Sequence, residues 1–358
     1  MGYFDTYVSN SIAGSSNQSY FFPEEADKAY TARAEYKIAA GGRYEYSFLF
    51  SNVLDGTYFK DYSGGPSMVL DEWDILAARV SLDGNEYVGL EFDGKSSKKV
   101  APGEFFYTDP VFLDIKEGGS LIMELTFKGK MLPCHPETLV KTEELTENGW
   151  QSTKFMPLPG MIGCRRDVKA RINFIGDSIT QGIGTVPGDY SYFAAIISEK
   201  AGAEFAYWNI GIGKGRASDA AGAGAWFYKM KQAEAACVCY GVNDILNGAD
   251  AASIKKSLNI LIDNLKRCGM KILLQTVPPF DFEGEMYAVW QEVNTFIREE
   301  LSKKADAFFD NEQVLSVDNG GIPRSMFDRH PNSEQHIKWA KELYPIFLEF
   351  VEKIVSKK

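Results

Sequence analysis

Short alternating runs fill the first part of the chain. Tyr44–Phe50 (YEYSFLF), Ala77–Leu82, Tyr87–Phe92, Val111–Ile115 and Leu121–Phe127 carry apolar residues at a period of two, as a strand with one covered face does. Asp83-Gly84-Asn85 links two of these runs and is a hairpin signal, and Gly118-Gly119 separates two others. No long helical period occurs between Ala40 and Lys130. Many short strands joined by glycine-rich turns predict an antiparallel β-sandwich of jelly-roll type.

The pattern changes near residue 165. Lys154–Gly163 (KFMPLPGMIG) holds two prolines and two glycines and reads as a connection between domains. Beyond it, strand and helix alternate. Strands are expected at Arg171–Ile175, Glu204–Trp208, Ala236–Tyr240, Lys271–Thr276 and Ala305–Phe309. Helices are expected at about 189–201, 217–232, 251–268, 285–304 and 333–356. This alternation predicts a parallel sheet with helices on both faces. The expected domains are 1–165, an all-β accessory part, and 166–358, an α/β part.

Composition narrows the classes. A chain of 358 residues, 45% hydrophobic, can bury a sizeable interior. With 38 Lys and Arg against 49 Asp and Glu, the net charge of −11 argues against a general nucleic-acid binder. It also disfavours polyanionic glycans as substrate. The N-terminus as given has no basic stretch followed by an apolar run, and no apolar run reaches about 18 residues. Five cysteines, an odd number without a secretory signal, favour reduced thiols and a cytoplasmic location. Cys237 and Cys239 would share one side of a strand, where buried structural thiols are expected.

Ligands of such sheets bind beyond the carboxyl ends of the strands. The first α/β strand runs into Gly176-Asp177-Ser178, the second into Asn209-Ile210-Gly211 and the third into Gly241-Val242-Asn243-Asp244. The last helix follows Asp328-Arg329-His330-Pro331-Asn332. One sheet edge thus gathers a hydroxyl, a base with a near acid, and donors for an oxyanion: the inventory of acyl transfer. Serine is a weak nucleophile until a base takes its proton, and His330 can do so. An acid beside the histidine fixes its tautomer. The Ser178 and Gly211 N–H groups and the Asn243 side-chain amide would serve the oxyanion. His336, six residues on, reads as a packing residue.

Competing motifs fail. Gly-x-Ser-x-Gly needs glycine at position 180, which is Thr180. In Gly211-Ile212-Gly213-Lys214-Gly215-Arg216 the third glycine is misplaced for a dinucleotide loop, and the run follows the second strand instead of the first. No cofactor and no metal is expected. Trp208, Trp226 and Tyr240 are candidates for stacking on a sugar ring, with core packing as the alternative. Arg216 and Arg329 are candidates for polar substrate groups.

The four blocks resemble those of the SGNH hydrolases, or GDSL-type esterases and lipases. Gly176-Asp177-Ser178, Asn209-x-Gly211, Gly241-x-Asn243-Asp244 and His330-Pro331-Asn332 occur in family order across residues 170–340. The resemblance implies a flavodoxin-like three-layer fold with strand order 2-1-3-4-5. It also implies Ser178 as nucleophile, Gly211 and Asn243 completing an oxyanion hole, and His330 as base. Tyr44–Asn52 and Thr108–Ile115 resemble the β-sandwich carried by some members, many of which deacetylate carbohydrates. The family places its acid three residues before the histidine. Here position 327 is Phe, and Asp328 lies two before His330. Either Asp328 completes a triad in a tighter turn or a backbone carbonyl orients His330 in a dyad; Asp310 is the other nearby acid. The function implied is a serine esterase acting on small acyl esters of a carbohydrate or other small molecule. A lipase or thioesterase for longer chains, or a non-catalytic carbohydrate-binding protein, are the alternatives. The sequence does not specify an oligomeric state.

Overall fold

In a computed structural model of the chain, residues 2–13, 16–55, 67–222, 224–327 and 329–356 are described. The chain divides into two compact units. One is Met1–Asp167 with Ala206–Trp208, and the other is Val168–Phe205 with Asn209–Lys358.

The first unit is built on two larger antiparallel sheets. One has the order Gly149–Ser152, Lys141–Thr146, Tyr30–Lys37, Ser120–Gly129, Trp73–Ser81, Tyr87–Gly89, with Lys98–Val100 also paired to Trp73–Ser81. The other has the order Val8–Ser9, Met161–Arg165, Gly42–Ser51, Phe105–Tyr107, with Val111–Ile115 also on Gly42–Ser51. Alternation decides the faces. In Tyr30–Lys37 the residues Ala32, Ala34 and Tyr36 are buried, while Thr31, Arg33 and Glu35 stay partly exposed. Gly42–Ser51 loses the alternation from Tyr46 onward, where every residue is buried, because that half of the strand is covered on both faces.

Two expectations change here. The segment expected as a connection, Lys154–Gly163, ends inside a strand: Met161–Arg165 pairs with Gly42–Ser51 and buries Met161, Ile162 and Cys164. Tyr30–Lys37, Lys141–Thr146 and Gly149–Ser152 are further strands that the periodicity reading did not name.

The second unit alternates strand and helix. The strands of its sheet are β1 (Arg171–Gly176), β2 (Ala206–Asn209, of which Ala206–Trp208 group with the first unit), β3 (Ala235–Cys239), β4 (Lys271–Gln275) and β5 (Ala307–Phe309). They form one sheet of order β2-β1-β3-β4-β5, with β1, β3, β4 and β5 pairing parallel, as expected from the 2-1-3-4-5 order. All five residues of β3 are buried, which is the mark of a strand covered on both faces. The helices are α1 (Ser178–Gln181), α2 (Phe193–Ala201), α3 (Ala217–Ala220), α4 (Ala225–Met230), α5 (Val242–Leu246), α6 (Ala251–Arg267), α7 (Gly284–Glu299), α8 (Asn311–Leu315) and α9 (Ser333–Val355). The helix expected over 217–232 is two pieces, α3 and α4, with Gly222 and Gly224 between them; glycine weakens a helix by its backbone freedom. On one face of the sheet, Phe193 of α2 stacks on Trp339 of α9 at 4.1 Å, and Phe174 of β1 stacks on Phe347 at 6.0 Å. No helix among the described residues is long and apolar enough to cross a membrane.

Candidate active site

The turn after β1 carries Ser178, the expected nucleophile. Asp177 is the N-cap of α1, and its carboxylate accepts the Ile179 N–H at 3.0 Å. Ser178 is therefore the first helical residue, and its N–H has no carbonyl four residues back within the helix. A Cβ on Gly176 would lie 2.0 Å from Thr180 Oγ1 and 2.6 Å from the Cys239 carbonyl oxygen, so only glycine lets the turn close this tightly. Asp177 is buried, and its carboxyl is pushed up to about 7. Burial is the main cause and the Asp244 carboxylate adds to it, against the N–H bonds of the cap.

His330, the expected base, approaches from the other end of the chain. Ser178 Oγ and His330 Nε2 are 2.8 Å apart, across 152 residues of sequence. His330 sits just before α9, whose N-cap Asn332 accepts the N–H groups of Glu334 (2.9 Å) and Gln335 (3.3 Å). The edge of the Phe280 ring meets the imidazole at 5.2 Å and 85°. Phe280 follows β4, a strand end from which the sequence reading drew no residue, although the rule about carboxyl ends applies to it equally.

Asn243, on α5 after β3, is nearly buried and donates from Nδ2 to the Gly215 carbonyl at 3.0 Å. A side-chain amide nitrogen has two hydrogens, so one remains for another acceptor. Asp244 beside it accepts the N–H groups of Ala217 (2.7 Å) and Ser218 (3.2 Å). Burial raises its carboxyl above the ordinary range.

Gly211 departs from its expected place. Its N–H donates to its own neighbour Asn209 Oδ1 at 2.9 Å, which commits the hydrogen needed for an oxyanion. A Cβ there would lie 2.5 Å from Gln181 N. Close packing against α1 is enough to require the glycine. The next glycine, Gly213, gives its N–H to Gln181 Oε1 at 2.8 Å. Gln181 was not singled out from sequence, because a glutamine in a four-residue helix carries no local signal.

The expected sugar-stacking residues lie in the core. Trp208 is 4% exposed, groups with the first unit and donates its indole N–H to the Gly160 carbonyl at 2.8 Å. Tyr240 is 1% exposed and packs against Trp226, itself 1% exposed, edge to face at 6.0 Å. Burial leaves none of the three rings a face for a sugar. Arg216 is held by Asp219, with Nη2–Oδ1 at 2.8 Å and Nε–Oδ2 at 2.9 Å, and so faces its own helix α3. Arg329 is exposed, directly before His330, in the left-handed region with φ 62°. Asp328 lies outside the described residues. Asp310, the other acid considered, is bound by Arg298 Nε at 2.6 Å and by the Thr276 hydroxyl at 3.0 Å. His336 is fully buried, accepts the Phe193 N–H at Nδ1 (3.3 Å) and is pushed down to about 3 by burial and then by His330. It packs, as expected.

Comparison with solved structures finds matches over about half of this chain. A lipolytic protein of the G-D-S-L family from Desulfitobacterium hafniense DCB-2 is 15% identical, with 49% of this chain and 98% of that one covered at a TM-score of 0.41. Esterase EstA from Pseudoalteromonas sp. is 14% identical, with 51% and 98% covered at 0.40. A carbohydrate esterase family 3 protein from Talaromyces cellulolyticus is 16% identical, with 51% and 99% covered at 0.39. No curated protein matches the chain in sequence. Residues 174–336 match the GDSL-like Lipase/Acylhydrolase family, a span that runs from β1 through the Ser178 turn to His336 on α9. Over these residues the protein carries a GDSL-like acylhydrolase domain, the domain of a carboxylic ester hydrolase.

Proposed function

We propose that the protein is a serine esterase that removes a small acyl group, acetyl first, from a carbohydrate hydroxyl. The observation that carries this reading is the 2.8 Å contact between Ser178 Oγ and His330 Nε2. For Nε2 to accept a proton, the neutral imidazole must hold its hydrogen on Nδ1. Asp328 is the proposed partner of that hydrogen, on its place two residues before His330.

The reaction follows from these groups. Ser178 Oγ attacks the ester carbonyl as His330 takes its proton. The carbonyl oxygen becomes an oxyanion, stabilised by the Ser178 N–H and the second Asn243 amide hydrogen. Collapse breaks the ester C–O bond, and the leaving alcohol takes the proton from His330. Water then attacks the acyl-serine by the same route and releases the acid. Gly211 has no part in this scheme, since its N–H is held by Asn209.

The carbohydrate assignment rests on two supports. The first unit is made of antiparallel sheets and resembles the β-sandwich of carbohydrate-deacetylating members. The net charge of −11 favours a neutral substrate over a polyanion. A panel of p-nitrophenyl acetate, butyrate and palmitate with acetylated oligosaccharides tests the reading against Ser178→Ala. Wild type is expected to prefer acetate and the acetylated sugars, and Ser178→Ala to lose about 10⁴-fold or more in kcat. Equal rates for the two proteins on every substrate would refute the esterase reading. A maximum on palmitate would replace it with a lipase.

A further inference from the structure

We propose that Asp244 is a positioning residue for the oxyanion wall, acting through the 213–218 loop and never on the substrate. The proposal rests on the acyl-transfer reading above.

Asp244 is buried on α5, and its carboxylate spans two N–H groups of another element. Ala217 and Ser218, the first residues of α3, donate to Oδ2 at 2.7 Å and to Oδ1 at 3.2 Å. Its neighbour Asn243 grips the same loop two residues earlier, at the Gly215 carbonyl. A third grip comes from the nucleophile's own helix, where Gln181 Oε1 accepts the Gly213 N–H. Lys214 lies between these anchors with φ 62°, a left-handed conformation that a non-glycine residue keeps only where its surroundings over-determine it. The loop is therefore held at 213, 215 and 217–218, and two of the three anchors sit beside or on the reacting residues.

The consequence for chemistry follows from the geometry of an amide. The two hydrogens on Asn243 Nδ2 lie in one plane with a fixed angle between them. One is spent on the Gly215 carbonyl, so the position of that carbonyl sets the direction of the other. Asp244 fixes the chain two and three residues after Gly215. Without the carboxylate, residues 215–218 can shift, and the free Asn243 hydrogen turns away from the developing oxyanion. A misplacement of about 1 Å at a reacting centre can cost on the order of 10²-fold.

Asp244→Asn keeps the shape and one acceptor oxygen but turns an amide NH2 toward a donor. On p-nitrophenyl acetate it is expected to lower kcat by about 10- to 100-fold with KM within about threefold. A double-mutant cycle with Asn243→Ala separates positioning from plain structural support. If Asp244 acts through Asn243, Asp244→Asn has little further effect in the Asn243→Ala background. Additive losses, or a folded Asp244→Asn within about twofold of wild-type kcat, would overturn the proposal. Should Asp244→Asn fail to fold, Ala217→Pro removes the donor from the other side. Proline is tolerated as the first residue of a helix, and Arg216 before it is already extended (φ −112°, ψ 153°). The same kcat loss and the same non-additivity are expected of it. Wild type no faster than Ser178→Ala would sink the underlying reading and this proposal together. A clear difference between those two with an additive cycle would sink this proposal alone.

Discussion

The two sheets of this protein treat polar side chains in opposite ways. The seven-stranded sheet of the first unit lines up charge across its strands. Arg33 stands in register with Glu143 on one side and Glu124 on the other, and Glu124 stands in register with Arg79. Arg33 pairs with Glu143 at 2.7 Å and Arg79 with Glu124 at 2.6 Å. The guanidinium groups of Arg33 and Arg79 also lie over the rings of Trp150 (4.2 Å) and Tyr87 (4.1 Å). Both Arg79 contacts fall on Glu124 Oε1, while Glu124 Oε2 is buried without a hydrogen-bond partner. The parallel sheet of the second unit has both faces covered, so its strands are apolar and its polar residues collect at the carboxyl edge. Ser178, Asn243, Asp244 and His330 gather there; the first three are buried, and burial raises the Asp244 carboxyl above the ordinary range. The lesson is that polar content alone does not mark a site. What marks it is the gathering of a hydroxyl, an imidazole and a partly unspent amide at one strand edge.

Three experiments press on this contrast. The largest effect is expected at Asn243, where one amide hydrogen is spent on Gly215 and one is not. Asn243→Ala should lower kcat by about 10²–10³-fold with little change in KM, as loss of an oxyanion donor does. Steady-state kinetics on p-nitrophenyl acetate decide it, and a rise in KM at unchanged kcat would instead make Asn243 a binding residue. A middle effect is expected in the charged ladder. Arg79→Met leaves the nearly buried Glu124 without its fork and should destabilise the protein by about 1–3 kcal/mol. Turnover should stay within about twofold of wild type. Urea unfolding and the esterase assay together check this, and a large loss of turnover in a folded Arg79→Met would erase the distinction between the sheets.

The smallest effect is a slope. His336 is held neutral under the covered sheet, with its proton affinity pushed down to about 3 from an ordinary 6.5. Between those values the unfolded chain binds a proton that the folded chain refuses, so stability falls as pH drops from about 6.5 toward 3. His336→Gln should flatten that fall. Comparing urea midpoints at about pH 7 and pH 4.5 for both proteins measures it, and parallel losses would mean that His336 does not drive the acid slope.

Much of this was legible in the sequence, for local reasons. A strand with one covered face has to alternate, and Val111–Ile115 does so at the expected residues. Parallel strands joined by helices have to show apolar runs between amphipathic segments, and the 2-1-3-4-5 sheet follows. Small blocks at strand ends are visible because each is a few adjacent residues. Tertiary structure decided the rest, because burial and hydrogen-bond partnership depend on what arrives from far along the chain. Trp208 and Tyr240 have the composition of a sugar platform, but packing closed both. The Gly211 N–H looked free for an oxyanion until the Asn209 side chain folded back on it. Met161–Arg165 sits in a segment that reads as a connection, and only its pairing with Gly42–Ser51, more than a hundred residues earlier, makes it a strand. Local pattern in the chain marked the strands and helices of the second unit and the residue types at their ends. The three-dimensional arrangement decided which of those polar groups are already spent on the protein and which, like the second hydrogen of Asn243, are left over to act.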